Sequence, residues 1–264
     1  MRTGKWIGGF MGFIAGGPLG ALAGFILGAL FDHGIDAVNK SDNSYSNDTG
    51  DYENFQRQQT YEGQRNSFLF SLLVLASYII KADGRIMHSE MEFVRGFLNR
   101  NFGPAAEEQG DAILKKLFEQ QKVMGQSQFR ATIQQCSAQI AANMDYSQRL
   151  QLLNFLVLIA QADGYVSPEE VDALNEIASY MGLSAEEVNS MLHLQSDDLD
   201  SAYKVLGISS DATDDEVKSA YRKMALKHHP DRVATLGEDV RKAAEKKFQE
   251  INDAKERIYK ARGL

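Results

Sequence analysis

The chain has 264 residues, 44% of them hydrophobic, and a formal net charge of −8 carried almost wholly by the residues before Asp197. That length suggests one to three domains with ordinary cores. A single cysteine, Cys136, excludes an internal disulfide and a multi-cysteine zinc site, and the acidic body argues against general nucleic-acid binding, which needs phosphate-neutralising basic surface.

In chain order, the first feature is an uncharged run of 26 residues from Trp6 to Phe31. As a helix it is long enough to cross a hydrocarbon core of ~30 Å at ~1.5 Å per residue. Glycines recur every fourth residue, at Gly4, Gly8, Gly12, Gly16, Gly20, Gly24 and Gly28. Positions i and i+4 share a helix face, so the expectation is a membrane anchor (residues 1–36) that self-associates by close packing through Gly8, Gly12, Gly16, Gly20 and Gly24. A cleaved signal peptide fits less well, because the apolar run continues past the small residues Ala21-Leu22-Ala23. A hairpin at Gly17-Pro18 within one leaflet is the other alternative; each of its arms is too short to span.

Asn39 to Asn66 is polar and nearly free of aliphatic residues, so residues 37–66 are expected to form a flexible linker. From Ser67 the pattern changes to an internal repeat. Leu72-Leu73-Val74-Leu75-Ala76 leads into Ala82-Asp83-Gly84, and eighty residues later Leu152-Leu153-Asn154-Phe155-Leu156 leads into Ala162-Asp163-Gly164; Glu90 then matches Glu170. Gly84 and Gly164 read as helix-ending residues. Ser167-Pro168-Glu169-Glu170 is a capping box with proline at the first helical position, and Ser89–Glu92 and Ser184–Glu187 repeat the box. Helical periodicity at Ile113, Leu114, Leu117 and Phe118, and at Phe129, Ile133, Cys136 and Ile140, fills the space between. About seven helices are expected over 67–195, with Phe68–Ile80 and Leu150–Ala160, apolar nearly all round, as the buried central pair. Asp83 with Glu90, and Asp163 with Glu169 and Glu170, offer oxygen ligands for a hard cation if the repeats pack together. Each also has a structural job, in a turn or at a helix N-terminus, and that reading is preferred. Cys136 on an apolar stripe reads as core. No catalytic constellation is present.

Residues 196–264 carry a third pattern. Thr213-Asp214-Asp215-Glu216 is a capping box that starts a two-faced helix. Val217, Ala220, Tyr221, Met224 and Ala225 or Leu226 point inward, while Lys218, Arg222, Lys223 and Lys227 make a basic outward strip. Pro230 ends that helix and pushes His229 out of helical geometry, giving a rigid exposed bend at His229-Pro230-Asp231. Phe248, Ile251 and Ala254 mark the inward face of a following helix.

Together with Tyr203-Lys204-Val205-Leu206-Gly207 upstream and Phe248-Gln249-Glu250-Ile251 downstream, this stretch resembles the J domain of the DnaJ co-chaperones, over about Asp200 to Leu264. The resemblance implies a helical hairpin whose basic strip docks on an acidic surface of a DnaK-class ATPase. In it, Asp231 pairs with a chaperone arginine while His229 and Pro230 hold the loop's shape. Family members commonly carry an aromatic where Lys255 stands, and helix III is expected over about 239–256 with only a short fourth helix after it. The repeated Ala-Asp-Gly unit between an anchor and a J domain is similar to the TerB-like domain of the DjlA-type membrane J proteins.

The expectation is therefore an all-α chain: a transmembrane helix, a linker, a TerB-like domain and a J domain. It is read as a membrane-anchored co-chaperone, not an enzyme, needing no cofactor, with a homodimer formed through the anchor. The flanking charges, Arg2 and Lys5 before the run and Asp32 and Asp36 after it, favour a cytoplasmic N-terminus. The partner implied by the resemblance requires the C-terminal domains in the cytosol of a bacterium, at the inner membrane, and that argument is given more weight. The alternative is a metal-responsive envelope stress sensor acting through the middle domain.

Overall fold

The computed structural model describes residues 16–31, 49–192, 199–236 and 238–264, and every regular element among them is a helix. These are α1 (Gly17–Phe31), α2 (Thr49–Ile79), α3 (His88–Phe102), α4 (Pro104–Met124), α5 (Gln126–Asn143), α6 (Tyr146–Ala160), α7 (Pro168–Tyr180), α8 (Ala185–Leu192), α9 (Leu199–Val205), α10 (Asp214–Lys227) and α11 (Glu238–Arg262). A 3-10 helix, Pro230–Leu236, joins the last two. The described residues form two compact units, one within 1–77 and 95–139, the other within 78–94 and 140–264.

In the first unit, Phe68, Leu69, Phe70, Leu72, Leu73 and Leu75 of α2 are almost wholly buried, as are Ile113, Leu114 and Leu117 of α4 and Phe129, Ile133 and Cys136 of α5. Each such side chain contributes roughly 1.5–3 kcal/mol by leaving water. Burial pushes the Cys136 thiol up to about 12, which leaves it protonated and inert. The linker expectation is corrected over residues 49–66, because α2 already begins at Thr49. That stretch is rich in Gln, Glu and Arg, all good helix formers. Extending an established helix needs no new nucleus, so polar composition alone does not stop it.

The glycine stripe is also corrected. Gly8 and Gly12 lie outside the described residues. Gly17 has φ +70, a left-handed conformation, and Gly16 precedes the helix, so the stripe does not run as one helix through Pro18. Proline instead occupies the first turn of α1, where its missing N–H costs nothing. Gln139 caps this start: its Oε1 accepts from the Leu19 N–H at 2.9 Å and its Nε2 donates to the Gly16 carbonyl at 2.6 Å. Gly20 and Gly24 remain one turn apart on α1, while Leu19, Leu22, Ala23 and Ile26 are buried and α1 packs against α4. With 15 residues, α1 is about 22 Å long at ~1.5 Å per residue. Among the described residues, no helix is long and apolar enough to cross a membrane.

The second unit holds the repeat's symmetric details. Gly84 and Gly164 take φ +82 and +86. Before them, Asp83 Oδ1 accepts from the Arg85 N–H at 2.8 Å and Asp163 Oδ1 from the Tyr165 N–H at 2.9 Å. The helices that follow are capped alike: Glu90 accepts from the Met87 N–H at 3.0 Å, and Glu170 from the Ser167 N–H at 2.7 Å. The first cap is thus set by Glu90 and Met87 rather than by Ser89, which lies inside α3. The box at Ser167 is complete, and a second at Asp145 and Gln148 starts α6. Leu150 to Val157 is buried on every side.

The C-terminal hairpin closes on Ala202, Val205, Val217, Met224, Ala244, Ile251, Ala254 and Ile258. The expected break before a short fourth helix is absent: α11 continues to Arg262. Arg262 donates to Tyr203 Oη at 2.6 Å, to the Ala212 carbonyl at 2.6 Å and to the Ser210 carbonyl at 2.8 Å, tying the last turn back to the α9–α10 connection. Lys255, in place of an aromatic, lays its ammonium 5.1 Å over the Tyr221 ring and 5.2 Å over the Tyr259 ring. Cation–π attraction thus replaces ring packing at that position.

Candidate chaperone-binding site

The complete box at Thr213 and Glu216 starts α10. Such a cap is worth about 1 kcal/mol. The helix ends where the His228 N–H donates to the Met224 carbonyl at 3.0 Å. Pro230 then opens the 3-10 helix, a position its fixed φ suits. The turn leaves the side chains of His229 and Asp231 45% and 85% exposed. The His229 ring meets Phe248 edge-on at 5.7 Å, which fixes the loop against α11. Nδ1 of His229 lies 3.3 Å from the Asp231 backbone nitrogen and 3.7 Å from Asp231 Oδ2, so the ring and the carboxylate face each other across the turn. The outcome is a carboxylate held out in solvent on a stiff turn, suited to a charge-assisted contact with an incoming arginine.

His228, its neighbour, behaves differently. It is 2% exposed, with no hydrogen-bond partner at Nδ1. Burial, with Lys247 and Lys227 nearby, pushes its pKa down to about 3, so it is a neutral core residue.

The four strip residues do not share one environment. Arg222 and Lys223 are exposed. Lys218 is half-buried, 3.9 Å from Asp215. Lys227 instead turns toward α8 and α6: its Nζ lies 2.7 Å from Glu187 Oε1 and 2.8 Å from Tyr146 Oη, and 4.9 Å over the Tyr146 ring. Its carbonyl accepts from Ser147 Oγ at 3.0 Å. Leu226, a candidate for the inward face, is 63% exposed. It sits one turn after Arg222, so an apolar side chain is added to the basic strip beside the loop. The i+4 spacing from Arg222 was the signal for this; nothing local signalled the partners of Lys227.

A cleft of about 460 Å³ between α8 and α10 is lined by Glu187, Leu206, Ile208, Lys223, Met224 and Lys227 among others. Among the described residues no group of three or more His, Cys, Asp or Glu side chains is placed to hold a metal ion. Asp83 and Asp163 are occupied by their turns, and Glu90 and Glu170 by their helix starts. Glu90 and Glu170 do meet, however: burial, and then the hydrogen bond to and charge of Glu170, push Glu90 up to about 8.

Comparison with known proteins assigns the parts. Residues 70–193 match the tellurite resistance protein TerB family, 201–261 the DnaJ domain, and 1–43 the co-chaperone DjlA transmembrane domain. The chain is 28% identical, over 99% of its own length and 99% of the relative's, to the co-chaperone protein DjlA of Photobacterium profundum. It is 26% identical, over 76% of its length and 80% of the relative's, to that of Vibrio vulnificus. The J segment alone is 46% identical over 66 residues to the human DnaJ homolog subfamily C member 7, covering 25% of this chain and 13% of that protein. No solved structure matches.

Proposed function

The chain belongs to the DjlA-type J-domain co-chaperones, and from that premise we propose that it stimulates ATP hydrolysis by a DnaK-class chaperone from a membrane surface. The observation that carries the reading is the His229–Asp231 turn, braced by Phe248 and presenting Asp231 to solvent. Arg222, Lys223 and Lys218 steer the acidic face of the chaperone onto α10, since complementary charge chiefly raises association rate and fixes orientation. Asp231 then engages a chaperone arginine. To accelerate hydrolysis, the J domain binds the hydrolysis-competent arrangement more tightly than the resting one. The chain itself regulates and does not catalyse.

In this reading residues 1–36 anchor the chain, 67–195 form the TerB-like domain and 196–264 the J domain. The C-terminal domains face the cytosol, where the ATP-fuelled partner is, at a bacterial inner membrane. Self-association through the glycine face of the anchor rests on Gly20 and Gly24, with Gly24 exposed and open to close approach. The deciding experiment is a single-turnover chaperone ATPase assay with wild type and His229→Gln, alongside circular dichroism. Stimulation by wild type, lost in a folded variant, is the expected result; stimulation retained by the variant would defeat the loop's role.

A further inference from the structure

We propose that the TerB-like domain clasps the end of the J domain's basic helix and holds one cation of the chaperone-binding strip out of service. The proposal rests on the co-chaperone reading above. The clasp is built from both sides. Lys227 Nζ is 2.7 Å from Glu187 Oε1 and 2.8 Å from Tyr146 Oη, and its carbonyl accepts from Ser147 Oγ at 3.0 Å. The Glu187 side chain is 7% exposed, against 24% for Lys227. A second tie lies nearby, where Ser190 Oγ donates to the Val205 carbonyl at 2.6 Å, fully buried. Side chains of α6 and α8 thus satisfy polar groups at the end of α10 and at the end of α9, which a solvated J domain would leave to water.

The placement matters because Lys227 is the strip residue nearest the loop, two positions before His229. A chaperone that uses its charge has to take it from Glu187. That would leave a nearly buried carboxylate with the Ser184 N–H, at 2.8 Å, as its remaining support among the described residues, and an unpaired buried charge is costly. Asp231, Arg222 and Lys223 stay exposed throughout. The J domain is therefore partly masked rather than blocked: its loop is ready, but full docking along α10 competes with an intramolecular partner. Whatever loosens α6 or α8 releases Lys227, which gives the middle domain a means of setting the J domain's activity.

The test uses the full-length chain in lipid vesicles with wild type, Glu187→Gln and Tyr146→Phe. Glutamine keeps an acceptor for the Ser184 N–H and removes only the charge. Neither substitution lies within the J domain, so its own sequence is unchanged. Two readouts are taken: hydrogen exchange of the amides from Arg222 to His228, and the concentration giving half-maximal stimulation of a DnaK-class ATPase. Faster exchange in both variants and a half-maximal concentration roughly two- to fivefold lower are expected, the factor for one partly exposed pair that no longer has to be broken. Unchanged exchange, with wild type still stimulating, overturns the clasp and leaves the co-chaperone reading intact. Faster exchange with an unchanged or higher half-maximal concentration overturns the masking. A wild-type chain that never stimulates the ATPase overturns the co-chaperone reading itself, and the masking with it.

Discussion

The carboxyl groups of Glu90 and Glu170, equivalent positions of two repeats eighty residues apart, meet in the interior, 2% and 8% exposed. Two charges cannot sit there together, so Glu90 keeps its proton. Its value rises from 4.5 to about 8, chiefly through burial, with Glu170 and then Asp83 adding repulsion and the Met87 N–H opposing. The folded state therefore holds a proton that the unfolded chain releases above about 4.5. Stability from this source is fully present below that value and is lost as pH rises toward 8. Glu90→Gln copies the protonated form, since its oxygen accepts from the Met87 N–H and its amide donates to Glu170. A flatter melting temperature between pH 5 and 8 than in wild type is the expected outcome, read by thermal denaturation; an unchanged pH profile would show that the pair does not share a proton.

His228 and Lys247 give the opposite dependence. Both are buried, with no hydrogen-bond partner at Nδ1 and Nζ. Burial pushes His228 down to about 3 and Lys247 down to about 7, Glu250 partly opposing the latter. The unfolded chain takes up protons that the folded state refuses, so stability falls as pH drops from about 6.5 toward 3, and it is also reduced between about 10.5 and 7 relative to more alkaline conditions. Lys247→Met keeps the volume and removes the buried ammonium. It should raise stability at pH 7 by about 1 kcal/mol, measured by urea unfolding; a loss would mean that the attraction between Lys247 and Glu250 outweighs the cost of burying the ammonium.

What could be read in the sequence was what depends on neighbours a few residues apart. The boxes at Ser167 and Thr213, the glycine turns at 84 and 164 and the proline-forced bend at 230 all stand in the structure, because each closes within four residues. Leu226 sat on the border between two faces of α10, and periodicity alone did not choose between it and Ala225. The start of α2 was hidden because polar composition describes solvent exposure as well as disorder. Glu90 with Glu170 was legible only through the repeat, which makes the two positions equivalent and brings them together once the repeats pack; Lys227 with Glu187 is set by helix packing over 40 residues, a distance at which one sequence without such a repeat carries no pairing signal.

Gly110 of α4 shows the same dependence on packing. The Leu98 Cδ1 methyl occupies the space where a Cβ on Gly110 would stand, and Leu98 is wholly buried. Gly110→Ala would gain helix propensity on an exposed face, but here it overfills the core. A net loss of about 1–3 kcal/mol is expected by denaturant titration. Gly24→Ala, where a Cβ meets nothing within 4 Å, is the control that should show no such loss.

The strip on α10 supplies the last prediction, because its charged and apolar parts should respond differently to salt. Arg222 and Lys223 are exposed, so their attraction to an acidic partner acts through solvent and is screened over ~8 Å at physiological ionic strength. Removing both should slow association with the chaperone by about tenfold at low salt, while dissociation changes less. Raising the salt should shrink that difference, since wild type loses the same attraction. Leu226 is 63% exposed on the same face, and its contribution on binding would be burial of apolar area, which salt does not screen. Leu226→Ala should therefore speed dissociation, with an effect that persists at high salt. Stopped-flow association and dissociation rates at two salt concentrations separate the cases. If the effects of Arg222→Ala/Lys223→Ala and of Leu226→Ala scale alike with salt, α10 is not divided into a steering part and a holding part.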